Sequence, residues 1–228
     1  VTQAFEQALR RFAQPLASRA QRQRQPVRQR IQARRLPEQR ARTRVLILQH
    51  PQEQDRDLGT ASLLLAALPT ATKRVGLSWA SLAQALDEEA VDPKRWAVLY
   101  PSSLRRALTP AELASERVLL DRDGARHTGA PFEGIVALDG SWSQAKALWW
   151  RNAWLLKLGR VVLHPKEPSI YGRARKAPRK EALSTLESVA EALVANGETE
   201  SIRSDLRRAF RTMLQRARDV APQAAAPE

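Results

Sequence analysis

The sequence predicts an α/β protein: a mostly parallel sheet with helices on both faces, preceded by a basic, helical amino-terminal arm. Three observations predict it. Short apolar runs rich in branched residues recur along the chain and are continuous, as buried parallel strands are. Helix-period segments lie between them, the order that βαβ units require. The positive charge is gathered at one end: residues 1–44 hold twelve Arg and two Glu, a net of +10, of a formal charge of +14 for all 228 residues.

In chain order, residues 1–22 place Phe5, Leu9, Phe12 and Leu16 at near-helical spacing among basic groups, which predicts a basic amphipathic helix. Residues 20–44, rich in Arg and Gln and punctuated by Pro26 and Pro37, read as an arm. From Val45 the character changes. "RVLILQHP", closed by His50 and Pro51, reads as a buried strand. "TASLLLAAL" (60–68) reads as a helix with Thr60 as its cap and Pro69 beyond its end. A strand is expected at 75–77 and a helix at 79–89. "RWAVLYP" (95–101), "ERVLLD" (116–121) and "GIVALD" (134–139) are further strands. Residues 143–158 are expected to be helical, with Trp149, Trp150 and Trp154 as packing residues, and "RVVLHP" (160–165) returns to strand. Helices follow at 184–197 and at 201–220, the latter with Ile202, Leu206, Phe210, Met213 and Ala217 on one stripe. The expected organisation is an arm (1–44), an α/β domain (45–200), a carboxy-terminal helix (201–220) and a flexible tail (221–228).

Composition excludes several chemistries. The chain has no cysteine, which removes disulfides, zinc–thiolate sites, iron–sulfur clusters and thiol nucleophiles. Its three histidines are far apart, so no metal site is expected. No apolar run approaches the ~20 residues of a membrane span, and the first residues lack a signal-peptide pattern; a cytoplasmic protein, monomeric and without a membrane partner, is the expectation. G-x-G-x-x-G, Walker A and G-x-S-x-G patterns are absent. Twelve arginines without a lysine in the arm point to phosphate, because guanidinium forks pair with it bidentately; a solvated tail is the alternative.

Candidate site residues cluster at strand ends. In a parallel sheet, His50-Pro51, Tyr100-Pro101 and Asp139-Gly140 line one crevice beyond the carboxyl ends of their strands. In "LDGSW" (138–142), Ser141 and Gln144 form a capping box, which leaves Asp139 unexplained, since an acid at that junction needs a donor or a cation nearby. Trp142 either stacks on a base or belongs to the core. In "STLE" (184–187) the box S-x-x-E accounts for Ser184 and Glu187 as local structure; the same helix start also offers N–H groups to a carboxylate or an adenine. "SIYGRARKAPRK" (169–180) sets five basic groups around Tyr171, as a solvated loop or as a contact to RNA or a ligand carboxylate.

Five segments, "ILQHPQE", "VLYPS", "LDGSW", "SIYGRARKAP" and "LSTLESVA", occur in the order found in the DTW-domain family, and over residues 44–200 the chain resembles it. Ser141 stands where the family usually has Thr, which keeps the hydroxyl. The resemblance implies S-adenosylmethionine as donor of a 3-amino-3-carboxypropyl group, N3 of a tRNA uridine as acceptor, and methylthioadenosine as the other product. It implies a fold similar to SPOUT methyltransferases, with a carboxy-terminal trefoil knot. Carried onto this sequence, Asp139 is the catalytic candidate. Tyr100, Pro101, Leu138, Gly140, Ser141, Trp142, Leu183, Ser184, Thr185 and Glu187 are the cofactor-binding candidates. His50, Tyr171, Arg173 and Arg175, with Arg28, Arg34 and Arg35 of the arm, are the RNA-contacting candidates. Many family members carry cysteines near the amino terminus that look like a zinc site; this chain has none, so zinc is not expected. An RNA methyltransferase of the same fold, or an RNA-binding module without catalysis, are the alternatives.

Overall fold

The computed structural model describes residues 41–54, 59–99, 109, 114–171 and 183–220. Residues 1–40 of the arm expected at 1–44, the residues Tyr100 and Pro101, the basic stretch with Arg173 and Arg175, and the tail lie outside the described residues.

Strands β1 (Arg44–Gln49), β2 (Ala71–Val75), β3 (Trp96–Leu99), β4 (Arg117–Leu120), β5 (Gly134–Asp139) and β6 (Gly159–Leu163) form one sheet in the order β2-β1-β5-β3-β6-β4. All neighbouring strands are parallel except β4, which pairs antiparallel with β6 at the edge. The helices are α1 (Thr60–Ala67), α2 (Leu82–Leu86), α3 (Trp142–Arg151), α4 (Thr185–Ala195) and α5 (Glu200–Val220).

Both faces of the sheet are covered, which is why its strands read as continuous apolar runs. Val45, Ile47, Ala97, Ile135 and Ala137 point to one face and pack with α1, α4 and α5. Leu46, Leu48, Trp96, Val98 and Val136 point to the other and pack with α2 and with Trp154, Leu155 and Leu158 beyond α3. Helix α5 belongs to the first core through Ile202, Leu206, Phe210, Met213 and Leu214, as its stripe predicts. The chain is also tied at the start of β1: Glu198 accepts from the Thr43 amide (2.7 Å) and hydroxyl (2.8 Å), and Asn196 donates to Thr43 Oγ1 (3.1 Å).

Four expectations are corrected. Strand β2 begins at Ala71 rather than 75, because its residues ATKRV are mostly polar and only partly buried and give no apolar run. Helix α2 is shorter than 79–89: Ser81 caps it, and Asp87 stops it in the left-handed region at φ 66°. Gly59, not Thr60, is the cap of α1, and the Thr60 hydroxyl instead receives the Leu186 N–H at 3.4 Å. The long helix expected at 143–158 breaks at Asn152, followed by a 3₁₀ turn over Ala153–Lys157. The fully buried Asn152 amide donates to the carbonyls of Leu77 (3.0 Å) and Leu148 (2.7 Å) and accepts from the Trp79 N–H (2.8 Å), bonds that a continuing helix could not offer. With that break, Trp154 packs in the core as expected, while Trp150 is 79% exposed and belongs to none of the described core clusters.

Gly134, the first residue of β5, faces the fully buried Trp96, whose ring lies 2.4 Å from where a Cβ would stand. Arg44 covers that ring at 5.2 Å and donates to Glu88 and Glu133, so the indole has no room to yield. The hydrogen bond to Glu88 is the chief reason the Arg44 guanidinium titrates above its ordinary value. Gly134→Ala is expected to destabilise the domain by about 1–3 kcal/mol, the usual cost of overpacking. A lowered urea midpoint at unchanged m-value is the readout.

Candidate active site

The topology itself points to a crevice. Strands β1 and β5 are neighbours in parallel register, with Gln49 paired to Asp139 at their carboxyl ends. After β1 the chain crosses one face through α1 to β2; after β5 it crosses the other face through α3 and the 3₁₀ turn toward β6. Connections that leave adjacent strands in opposite directions open a crevice at that point, where α/β sheets bind ligands.

Asp139 occupies this point and is 8% exposed. Its Oδ2 accepts from Gln49 Nε2 at 2.7 Å and its Oδ1 from Thr185 Oγ1 at 2.6 Å. Gln49 has no choice of orientation, because its Oε1 accepts from Lys73 Nζ at 3.1 Å and its amino group is thereby turned to the carboxylate. Thr185 is the first residue of α4, so the positive end of that helix also faces Asp139. The backbone carbonyl of Asp139 accepts from the His50 N–H at 2.9 Å. Three elements, β1, β5 and α4, therefore converge on one carboxylate, which supplies the donors that the sequence required without showing.

The turn after Asp139 is held as firmly. Ser141 caps α3 in a full capping box with Gln144. Gln144 Nε2 continues to Gln52 Oε1 at 3.1 Å, tying α3 to the 3₁₀ turn Pro51–Glu53 after β1. Gly140 passes between these parts: a Cβ there would lie 2.8 Å from the Gln144 Cβ and 3.5 Å from the His50 Cβ. His50 caps the 3₁₀ turn, with Nδ1 accepting from the Gln52 N–H at 3.3 Å. Leu138 packs partly on the second core, and Trp142 opens α3 as an exposed indole.

Beside Asp139, the start of α4 forms a second polar cluster. Glu187, 1% exposed, accepts from Ser184 N (3.0 Å), Ser184 Oγ (2.7 Å), Ser169 Oγ (2.5 Å) and Ile170 N (2.8 Å). The capping box is real, and it also anchors residues 169–171 from across the fold. Leu183 lies apart from Asp139's immediate partners and lines a cavity of about 480 Å³ with Pro165, Arg203 and Arg207. Tyr171, expected at an RNA surface, is buried with its ring edge-on to Phe210 at 4.8 Å, so its face is not offered to a base. Among the described residues, no group of three or more His, Asp or Glu side chains could hold a metal ion. No helix among them is long and apolar enough to cross a membrane.

Gln49, Lys73 and Thr60 complete this arrangement and were not among the sequence candidates. Gln49 had a signal, a polar residue closing an apolar strand; Lys73 and Thr60 had none before pairing was known.

The fold and the site define an α/β protein with an acid set at the switch point of a parallel sheet. The chain belongs to the DTW-domain family, whose DTW domain matches residues 25–218. It is 33% identical over 152 residues to tRNA-uridine aminocarboxypropyltransferase 2 of Macaca fascicularis, covering 66% of this chain and 47% of the relative. With the Drosophila melanogaster protein of that name it shares 29% over 180 residues, covering 78% and 65% respectively. The Mus musculus protein is 31% identical over 153 residues, at 66% and 47% coverage. The chain thus spans about half the length of the mammalian relatives it matches. No solved structure matches it significantly.

Proposed function

We propose that this protein transfers the 3-amino-3-carboxypropyl group of S-adenosylmethionine to N3 of a tRNA uridine, with methylthioadenosine as the second product. The observation that carries the reading is Asp139, a carboxylate fixed by Gln49 and Thr185 at the switch point, in a chain of the DTW-domain family. The donor set fits a cationic sulfonium compound, since an anion flanked by hydrogen-bonding groups faces the crevice. When bound there, S-adenosylmethionine supplies an electrophilic γ-carbon next to a positively charged sulfur.

The protein's residues then have the following roles. Each Asp139 oxygen accepts one hydrogen bond and keeps a further lone-pair direction for N3–H of the uridine. Asp139 takes that proton as the N3–C bond forms and the C–S bond breaks, its electron pair going to sulfur. Gln49 and Thr185 keep the carboxylate oriented through the step. The main chain of 138–141 and the main chain at the start of α4, from Leu183 to Glu187, hold the donor, with Tyr100, Pro101 and Trp142 shaping its pocket. Arg173 and Arg175, with Arg28, Arg34 and Arg35, contact phosphate. His50, whose main chain is bonded to Asp139, stands at the uridine's approach. The SPOUT-like relation, the trefoil knot and the division into arm, domain and helix belong to this proposal; the parallel sheet and the family resemblance support them.

The test is a product assay with S-adenosylmethionine and total bacterial tRNA. Methylthioadenosine formed only in the presence of RNA is the expected result. S-adenosylhomocysteine in its place would mean methyl transfer on the same fold, and neither product would mean an RNA-binding role without this chemistry.

A further inference from the structure

Beyond Trp142, which borders the crevice, the exposed face of α3 is not explained by the donor pocket. Trp142, Lys146 and Trp150 are spaced four residues apart, so they share one side of the helix. All three are exposed, and Trp150 is the most exposed large apolar side chain described. Helix α3 starts beside Gly140 and runs away from Asp139, so Trp150 lies about 12 Å beyond Trp142 along its axis. Neither Lys146 nor the neighbouring Arg151 side chain has an ion-pair partner among the described residues. From Gly140 to Lys166 the chain carries five basic side chains and no acidic one.

We propose that this stripe is a stacking platform for unpaired nucleotides flanking the uridine that enters the crevice. The inference rests on the reading of the crevice as a uridine site and extends it to the shape of the RNA. Uridine N3 lies on the base-pairing edge, so it is reached only when the base is unpaired. Its neighbours in such a loop have open faces, and indoles interleaved with cations are the surface that takes them. Lys146, between the two indoles, and Arg151, at the end, stand where phosphates between stacked bases would pass. A second copy of the chain is disfavoured on this face, because an isologous contact would set Lys146 and Arg151 of one copy against the same pair of the other with no acidic residue on the helix to offset them. The stripe begins at the catalytic turn, so one strand of RNA can occupy both.

The experiment is fluorescence anisotropy with the full chain and no cofactor, using a labelled RNA hairpin with a loop of uridines and a blunt duplex of the same stem. The wild type should bind the hairpin more tightly. Trp150→Ala should weaken hairpin binding roughly 5- to 150-fold, the loss of one stacked base, and leave duplex binding within about twofold. Since Trp150 is 79% exposed and outside the described core clusters, this variant should fold as the wild type does. Hairpin affinity that is unchanged, or that falls in step with duplex affinity, overturns the proposal. A dimer seen by sedimentation that dissociates in Trp150→Ala also overturns it and assigns the face to a second copy. Because the assay needs neither donor nor turnover, it separates from the catalytic reading: a failed product assay with an intact hairpin preference would condemn the chemistry and keep the platform.

Discussion

Asp139→Asn is expected to lower the transfer rate about 10²- to 10⁴-fold, the usual contribution of a positioned general base, while leaving the fold intact. The two halves of that expectation have separate grounds. Asn keeps the shape of the side chain and one acceptor oxygen. Gln49 cannot turn its amide, because Lys73 holds its Oε1, so the remaining oxygen is required on the Gln49 side. The new amino group then faces Thr185, whose hydroxyl can rotate to accept from it. Every bond is remade, and stability should change by less than about 1 kcal/mol. What is lost is the ability to take a proton from N3. Single-turnover methylthioadenosine formation measures the rate, and thermal unfolding checks the fold. A turnover near normal would remove Asp139 from the role of base. Asp139→Ala is the contrasting variant: it leaves Gln49 and Thr185 without their acceptor and should lose stability as well as rate.

Much of this site could be read from the chain itself, and the reasons are local. Asp139 stood out because an acid ends an apolar strand and the following capping box does not use it. Strands β1 and β5 were legible because burial on both faces leaves continuous apolar runs. Strand β2 was not, because an edge strand with one solvated side can be built from Thr, Lys and Arg. The antiparallel pairing of β4 was hidden too, since an apolar run carries no direction. The donors to Asp139 come from residues 49 and 185, and only the sheet order and the α4 docking bring them together. Trp150 misled for a related reason: three tryptophans on a helical pattern suggest one packed face, but the break at Asn152 separates Trp154 from the helix. Tyr171 misled through its neighbours, because a basic stretch follows a ring that the core takes up.

Glu187→Ala should have the largest effect on stability, on the order of 2–6 kcal/mol. The Glu187 carboxylate takes four hydrogen bonds in a buried setting, two of them from the main-chain N–H groups of Ser184 and Ile170. Hydroxyls of Ser169 and Ser184 can turn to other acceptors, but the two amides are fixed, and each buried donor left unpaired costs about 1–3 kcal/mol. For a domain of this size that corresponds to a fall in Tm of roughly 5–20 °C. Glu187→Gln gives an intermediate loss of about 1–3 kcal/mol, because its oxygen can serve the three donors that meet Oε2 while its amino group opposes the Ile170 N–H. The order wild type, Gln, Ala in Tm is therefore the expected result, and an Ala variant as stable as the wild type would show that the cluster is dispensable to the fold. Activity should follow a different order from that of the Asp139 series. Glu187 touches Asp139 only through the helix that carries Thr185, so Glu187→Gln, assayed well below its Tm, should retain most of the transfer rate. One carboxylate at the crevice would then govern rate with little effect on stability, and its neighbour in the first turn of α4 would govern stability with little effect on rate.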